Sequence, residues 1–164
     1  MRSSTHQLTA AAILQRDMVT TTPDDTLRDA LALMTENHVT GLPVMDNNSR
    51  CIGLITASDI LNYEQEHAAD SDSDANRTAQ YFDPETQQWV SVPISAFGLE
   101  EFAEVRVSEV MSRDLIWVDR ETLLKDVAQR MLDERVHRVL VMDTKSNLYG
   151  IISAYDFVRV IAER

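Results

Sequence analysis

Apolar positions recur along the chain with two distinct periods. Leu27, Ala30, Leu31 and Met34 follow the i, i+3, i+4, i+7 spacing of one helical face, and Leu124, Val127, Ala128 and Met131 repeat it. Thr22 is the expected N-cap of the first helix, with Pro23 at its first position and Asp25 completing a capping box; Asp119 is the expected cap of the second. After each helix come two short apolar runs that read as strands. They are Leu42 to Met45 and Cys51 to Ile55 around the polar turn Asp46-Asn47-Asn48-Ser49-Arg50, then Val139 to Met142 and Leu148 to Ile152 around Asp143 to Asn147. Further helices are expected from near Ala57 and near Ala154. Short strand, helix, two strands, helix, occurring twice, gives an α/β class.

The two series are one repeat. The segment from Ile13 to about His67 returns 97 positions later, from Val110 to Arg164, without a gap. Arg16-Asp17 recurs as Arg113-Asp114, Val44-Met45-Asp46 as Val141-Met142-Asp143, and Gly53, Ile55, Ala57 and Asp59 as Gly150, Ile152, Ala154 and Asp156. Each copy is expected to form an incomplete core that needs the other. The chain divides into 1–67 (first copy with an N-terminal segment), an insert 68–104, and 105–164 (second copy). The acidic stretch Ala69 to Asn76 in the insert is expected to be a mobile loop. Tyr81 to Val90, with aromatic residues on both sides of Asp83-Pro84, predicts a small hairpin, serving as a cover for a sheet edge, a dimer contact or a docking element.

Composition narrows the function. An apolar fraction of 44% supports a substantial core, while a net charge of −12 excludes nucleic acid and anionic membranes as expected partners, since both require a basic face. Cys51 is the single cysteine, which rules out an intramolecular disulfide and fits a reducing cytoplasm. No stretch approaches the roughly 18 apolar residues of a membrane span, and neither a signal peptide nor an anchor is expected.

Candidate chemistry sits where each second strand enters its helix, at Gly53-Leu54-Ile55-Thr56-Ala57-Ser58-Asp59 and Gly150-Ile151-Ile152-Ser153-Ala154-Tyr155-Asp156. A helix N-terminus offers backbone N–H groups to a phosphate, and an ionised aspartate can accept from both hydroxyls of a ribose. Ser or Thr followed three residues later by Asp is equally a capping box with no ligand. The two uses are not exclusive, since the aspartate is expected to have oxygens to spare.

The pattern Val39-Thr40-Gly41-Leu42-Pro43-Val44-Met45-Asp46, then Gly53 to Asp59, resembles a CBS (cystathionine beta-synthase) domain, and Val136 to Asp156 resembles the second member of a tandem pair. The second copy is also similar to nucleotide-binding repeats of the AMP-activated protein kinase gamma subunit, which carry Val-His-Arg before the strand and Ser-x-x-Asp after it. The resemblance implies two β-α-β-β-α repeats packed with pseudo-two-fold symmetry and an adenine nucleotide (AMP, ADP or ATP) between them. Asp156 would hold the ribose, Ser153 would lie near the ribose or phosphate, and His137 and Arg138 would face the phosphates, with Ile151, Val39 and Met18 around the base. A second, weaker site would use Asp59, Thr56, Leu54, Val136 and Leu115. Thr40 and Gly41 replace the basic pair there, so a less charged adenosine compound or no ligand is expected.

No catalytic constellation is expected. His6, His38 and His67 read as surface residues and Cys51 as a strand residue; no metal is expected, the nearest candidate being the loose cluster His67, Asp70, Asp72 and Asp74. The expected function is a regulatory, non-enzymatic module with no required cofactor. The resemblance implies a homodimer, and a separate, unidentified protein would be the one regulated. The alternative is a structural or interaction module of the same fold that binds no ligand.

Overall fold

The computed structural model describes residues 7–67, 78–83, 87–93 and 104–163. The expected acidic loop, His6, and Asp70, Asp72 and Asp74 lie outside them. The chain forms two compact units, and neither is one sequential copy. One contains Val19–Asn48 and Ile52–Arg113; the other contains the chain through Met18, Ser49–Cys51 and Asp114–Arg164.

In the first of these units, α1 (Leu27–Asn37) leads to β1 (Gly41–Met45), β2 (Cys51–Thr56) and α2 (Ala57–His67). The helix α1 begins later than expected. Its N-cap is Thr26, whose hydroxyl accepts from the Asp29 N–H at 3.1 Å while Asp29 accepts from the Thr26 N–H at 3.1 Å. Asp25 is instead committed to the turn before it, accepting from the Thr22 N–H at 2.9 Å and the Thr21 hydroxyl at 2.7 Å. Two Thr-x-x-Asp patterns lie in tandem, and the second is the one that opens the helix. His38 ends α1 in the left-handed region at φ 54°, with the Val39 N–H returning to the Met34 carbonyl. The predicted hairpin is present as β3 (Thr78–Asp83) and β4 (Gln88–Pro93), antiparallel, with Tyr81 opposite Val90. A short helix, α3 (Val107–Val110), completes this unit.

The other unit pairs β5 (Trp117–Val118) parallel to β6 (Arg138–Met142), and β6 antiparallel to β7 (Leu148–Ser153). Between β5 and β6 runs α4 (Leu124–Glu134), and α5 (Ala154–Ala162) follows β7. Asp119 does not cap α4. Leu123 occupies the N-cap without a side-chain bond, and Asp119 only accepts the Thr122 N–H through its own carbonyl, at 3.1 Å. The Asp143 turn between β6 and β7 is tightly held: the Asn147 side-chain and backbone N–H groups, the Lys145 N–H and the Tyr149 hydroxyl all donate to the Asp143 carboxylate, bringing its pKa down to about 2.

What divides the chain in this way is an exchange of leading segments. Leu124 N–H donates to Leu8 O at 2.8 Å and Ala10 N–H to Thr122 O at 2.8 Å, so the start of the chain seats itself on the helix of the second copy. At the repeat-equivalent positions Leu27 N–H donates to Val105 O at 2.9 Å and Val107 N–H to Asp25 O at 2.8 Å, which seats the leader of the second copy on the first. The cores record the same trade. Ala10, Ile13 and Leu14 are buried with Leu124, Val127, Met131, Val139, Val141 and Ile152, whereas Val107 and Met111 are buried with Leu27, Ala30, Met34, Leu42, Val44, Ile55 and Ile60. Each large aliphatic side chain so enclosed contributes about 2 kcal/mol, so neither core closes without its borrowed residues.

The leaders then pair with the second strands of the repeats. Gln15 and Ile151 exchange backbone bonds of 2.8 and 3.0 Å, as do Ser112 and Leu54 at 2.9 Å in both directions. The approach explains the repeated glycine. A Cβ on Gly150 would lie 2.4 Å from the Gln15 carbonyl oxygen, and one on Gly53 would lie 2.5 Å from Met111 Sδ.

Candidate functional site

Both strand-to-helix junctions form as the sequence predicts, with different occupancy of their aspartates. At the β7–α5 junction Asp156 is 3% exposed. Its Oδ2 accepts from the Ser153 N–H at 2.8 Å and the Ser153 hydroxyl at 3.1 Å. Its Oδ1 accepts from Gln15 Nε2 at 2.8 Å and Arg159 Nη2 at 3.1 Å. A carboxylate offers about four acceptor positions, so this one is saturated by the protein. The expectation that the aspartate keeps oxygens to spare therefore does not hold at Asp156. Burial is the reason: a carboxylate taken out of water needs donors, and the neighbouring leader and the next turn of α5 supply them.

His137 and Arg138 are brought to the same junction. Arg138 is the register partner of Ser153 across β6 and β7, and the Ala154 N–H donates to the His137 carbonyl at 2.8 Å. The His137 side chain is exposed and Arg138 is half-buried. Ile151, two residues before the strand's end, is half-buried beside Gln15. Met18 belongs to this unit, as do Leu115 and Val136, whereas Val39 belongs to the other.

At the β2–α2 junction Asp59 is half-buried. It accepts from the Thr56 N–H at 2.9 Å through Oδ2, and its own N–H donates to the Thr56 hydroxyl at 3.1 Å. Among the described residues nothing donates to Asp59 Oδ1. The residues standing in place of Gln15 and Arg159 are Ser112 and Asn62, both with shorter side chains. Leu54 lies just upstream, held by Ser112, and the Ala57 N–H donates to the Thr40 carbonyl at 2.9 Å. At this strand entrance Thr40 and Gly41 occupy the positions that His137 and Arg138 hold in the second copy.

Sequence reasoning missed Gln15 and Arg159. Arg159 carried a usable signal, being one turn after Asp156 on the same helix face. Gln15 carried none, because its reach depends on the leader crossing to β7. The remaining candidates carry no competing chemistry. Cys51 is 2% exposed. His67 lies at the end of α2, bonded to the Tyr63 carbonyl through Nδ1 at 2.8 Å and stacked on the Tyr63 ring. Among the described residues no group of three His, Cys, Asp or Glu side chains converges for a metal, and no helix is long and apolar enough to cross a membrane.

Comparison with known proteins agrees with this architecture. The family model for the CBS domain matches residues 10–66 and 107–163. The chain is 30% identical over 146 residues to the chloroplastic CBS domain-containing protein CBSX1 of Arabidopsis thaliana, covering 88% of this chain and 59% of CBSX1. Its fold matches the crystal structure of CBSX2 in complex with AMP with a TM-score of 0.67 at 23% identity, over 95% of this chain and 97% of that one. It also matches MJ1225 of Methanocaldococcus jannaschii, a suggested archaeal homologue of the AMP-activated protein kinase gamma subunit, with a TM-score of 0.70 at 24% identity, over 95% of this chain and 48% of that one. With both repeats matched in order, the chain belongs to the CBS-domain family as a tandem pair.

Proposed function

We propose that this chain is a regulatory module that binds an adenine nucleotide, AMP, ADP or ATP, and through it alters a separate partner protein without itself catalysing a reaction. The observation that carries the reading is the junction of Asp156, Ser153, His137 and Arg138: a carboxylate for a ribose, and the Arg138 guanidinium with His137 beside a helix N-terminus for phosphates. The AMP complex of CBSX2 supports the same ligand class. The Asp59 junction, with a carboxylate oxygen to which none of the described residues donates and with Thr40 and Gly41 in place of His137 and Arg138, suits an adenosine compound with less phosphate. Calorimetric titration of AMP, ADP, ATP and S-adenosylmethionine is the test. Saturable binding by the wild type is expected, weakened at least about tenfold when Asp59→Asn and Asp156→Asn are combined, as for loss of hydrogen bonds to a charged acceptor. A wild type that takes none of the four ligands sinks the proposal.

A ligand-free interaction module is the second reading, and the saturation of Asp156 by the protein's own donors is what favours it. Either reading includes a homodimer. Tyr155, Val158 and Ile161 are 69%, 60% and 74% exposed and recur every third residue along α5, an apolar face suited to an isologous contact. Sedimentation should give a dimer for the wild type and a monomer for Ile161→Asp; a monomeric wild type at tens of micromolar rules the dimer out.

A further inference from the structure

Gln15 stands outside both CBS-type motifs, yet it donates the 2.8 Å bond to Asp156 Oδ1 from a leader that is fixed to Ile151 on either side of its peptide. We infer that the Gln15 carboxamide is a built-in occupant of the ribose-hydroxyl position at Asp156, so that a nucleoside enters this junction only by displacing it. This rests on the adenosine reading above. Three observations carry it. The carboxamide N–H group offers the carboxylate the same kind of donor as a ribose hydroxyl, and at a hydrogen-bonding distance. Gln15 is exposed, so its side chain can rotate into water while its backbone stays paired with Ile151. The other copy, with Ser112 in the equivalent place, leaves Asp59 Oδ1 without a donor among the described residues.

Arg159 is the other donor to Oδ1, and it sits on α5 itself, 41% exposed at its side chain. It keeps the buried carboxylate paired when Gln15 leaves, which makes the exchange a replacement of one neutral donor by another rather than the exposure of a charge. The consequence is a threshold. Ligand at this junction competes with an intramolecular group whose concentration never changes, so affinity is set by what Gln15 gives up.

The test uses the full chain and AMP as the probe, with Asp59→Asn present throughout so that the signal comes from the Asp156 junction. Adding Gln15→Ser is expected to tighten AMP binding roughly tenfold, the factor for loss of one competing hydrogen bond to a charged acceptor. Gln15→Ala should do the same, and adding Asp156→Asn should abolish the gain. Thermal midpoints close to that of the parent show that each variant is folded. If AMP binds the Asp59→Asn protein and the Gln15 variants bind it equally or more weakly, Gln15 is not an occupant, and the adenosine reading stands without it. If the wild type and every variant fail to bind AMP, both fall together.

Discussion

Gly150→Ala should lower the stability of the protein by about 3 kcal/mol, the upper part of the range for overpacking a tight contact, and should lower the unfolding midpoint by about 10 °C. No glycine in the described residues has a positive φ, so alanine is conformationally permitted at this position and would on its own stiffen the unfolded chain slightly to the protein's benefit. The loss is therefore steric. The new methyl would meet the Gln15 carbonyl oxygen and Leu14 Cδ1, both at 2.4 Å, and the carbonyl can retreat only by giving up the paired bonds between Gln15 and Ile151. Gly53→Ala is the natural control. Its nearest obstacle is Met111 Sδ at 2.5 Å, the end of a flexible side chain, with the Ser112 carbonyl oxygen further off at 3.1 Å, so about 1 kcal/mol is expected. Urea unfolding of both variants decides the matter. Equal losses would mean that the backbone contact at Gly150 relaxes as readily as a thioether.

Val107→Asp should be more damaging, by more than about 4 kcal/mol, because it places an unpaired carboxylate where the side chain is fully buried. The informative readout is where the damage appears. Val107 belongs to the second copy in sequence but lies in the core built by Leu27, Met34, Leu42 and Ile55 of the first. Hydrogen exchange should therefore show protection lost first in α1 and β1, with β6 and β7 still protected. The milder Val107→Ala, a cavity of two methyl groups, should bias exchange the same way in a folded protein. Protection lost first in β6 and β7 by either variant would contradict the exchange of leaders.

The elements were legible because each is a local matter. Helical spacing in Leu27 to Met34 and Leu124 to Met131, β-branched runs on either side of polar turns, and the aromatic hairpin around Asp83-Pro84 all fall within three residues of the observed ends of their elements. The two helix starts were misread where a local signal had a rival use. Asp25 serves the turn before α1, and α4 opens on Leu123 because the Leu124 N–H is taken by the Leu8 carbonyl of the distant leader. A propensity rule has no access to that partner.

The candidate site divides along the same line. The junction motifs, the capping bonds of Thr56 with Asp59 and of Ser153 with Asp156, and the absence of a basic pair from the first copy were all written in the sequence, because they involve residues three apart or at equivalent positions of one repeat. The saturation of Asp156 was not, since one of its donors comes from Gln15 across 141 positions of chain. By itself, then, the sequence determined a duplicated α/β unit, its family and the residue types at its two strand-to-helix junctions. Only the tertiary structure decided which leader completes which core and which of two equivalent carboxylates is saturated by donors among the described residues, because hydrogen-bond competition is settled by proximity in space and a repeat pattern records only similarity along the chain.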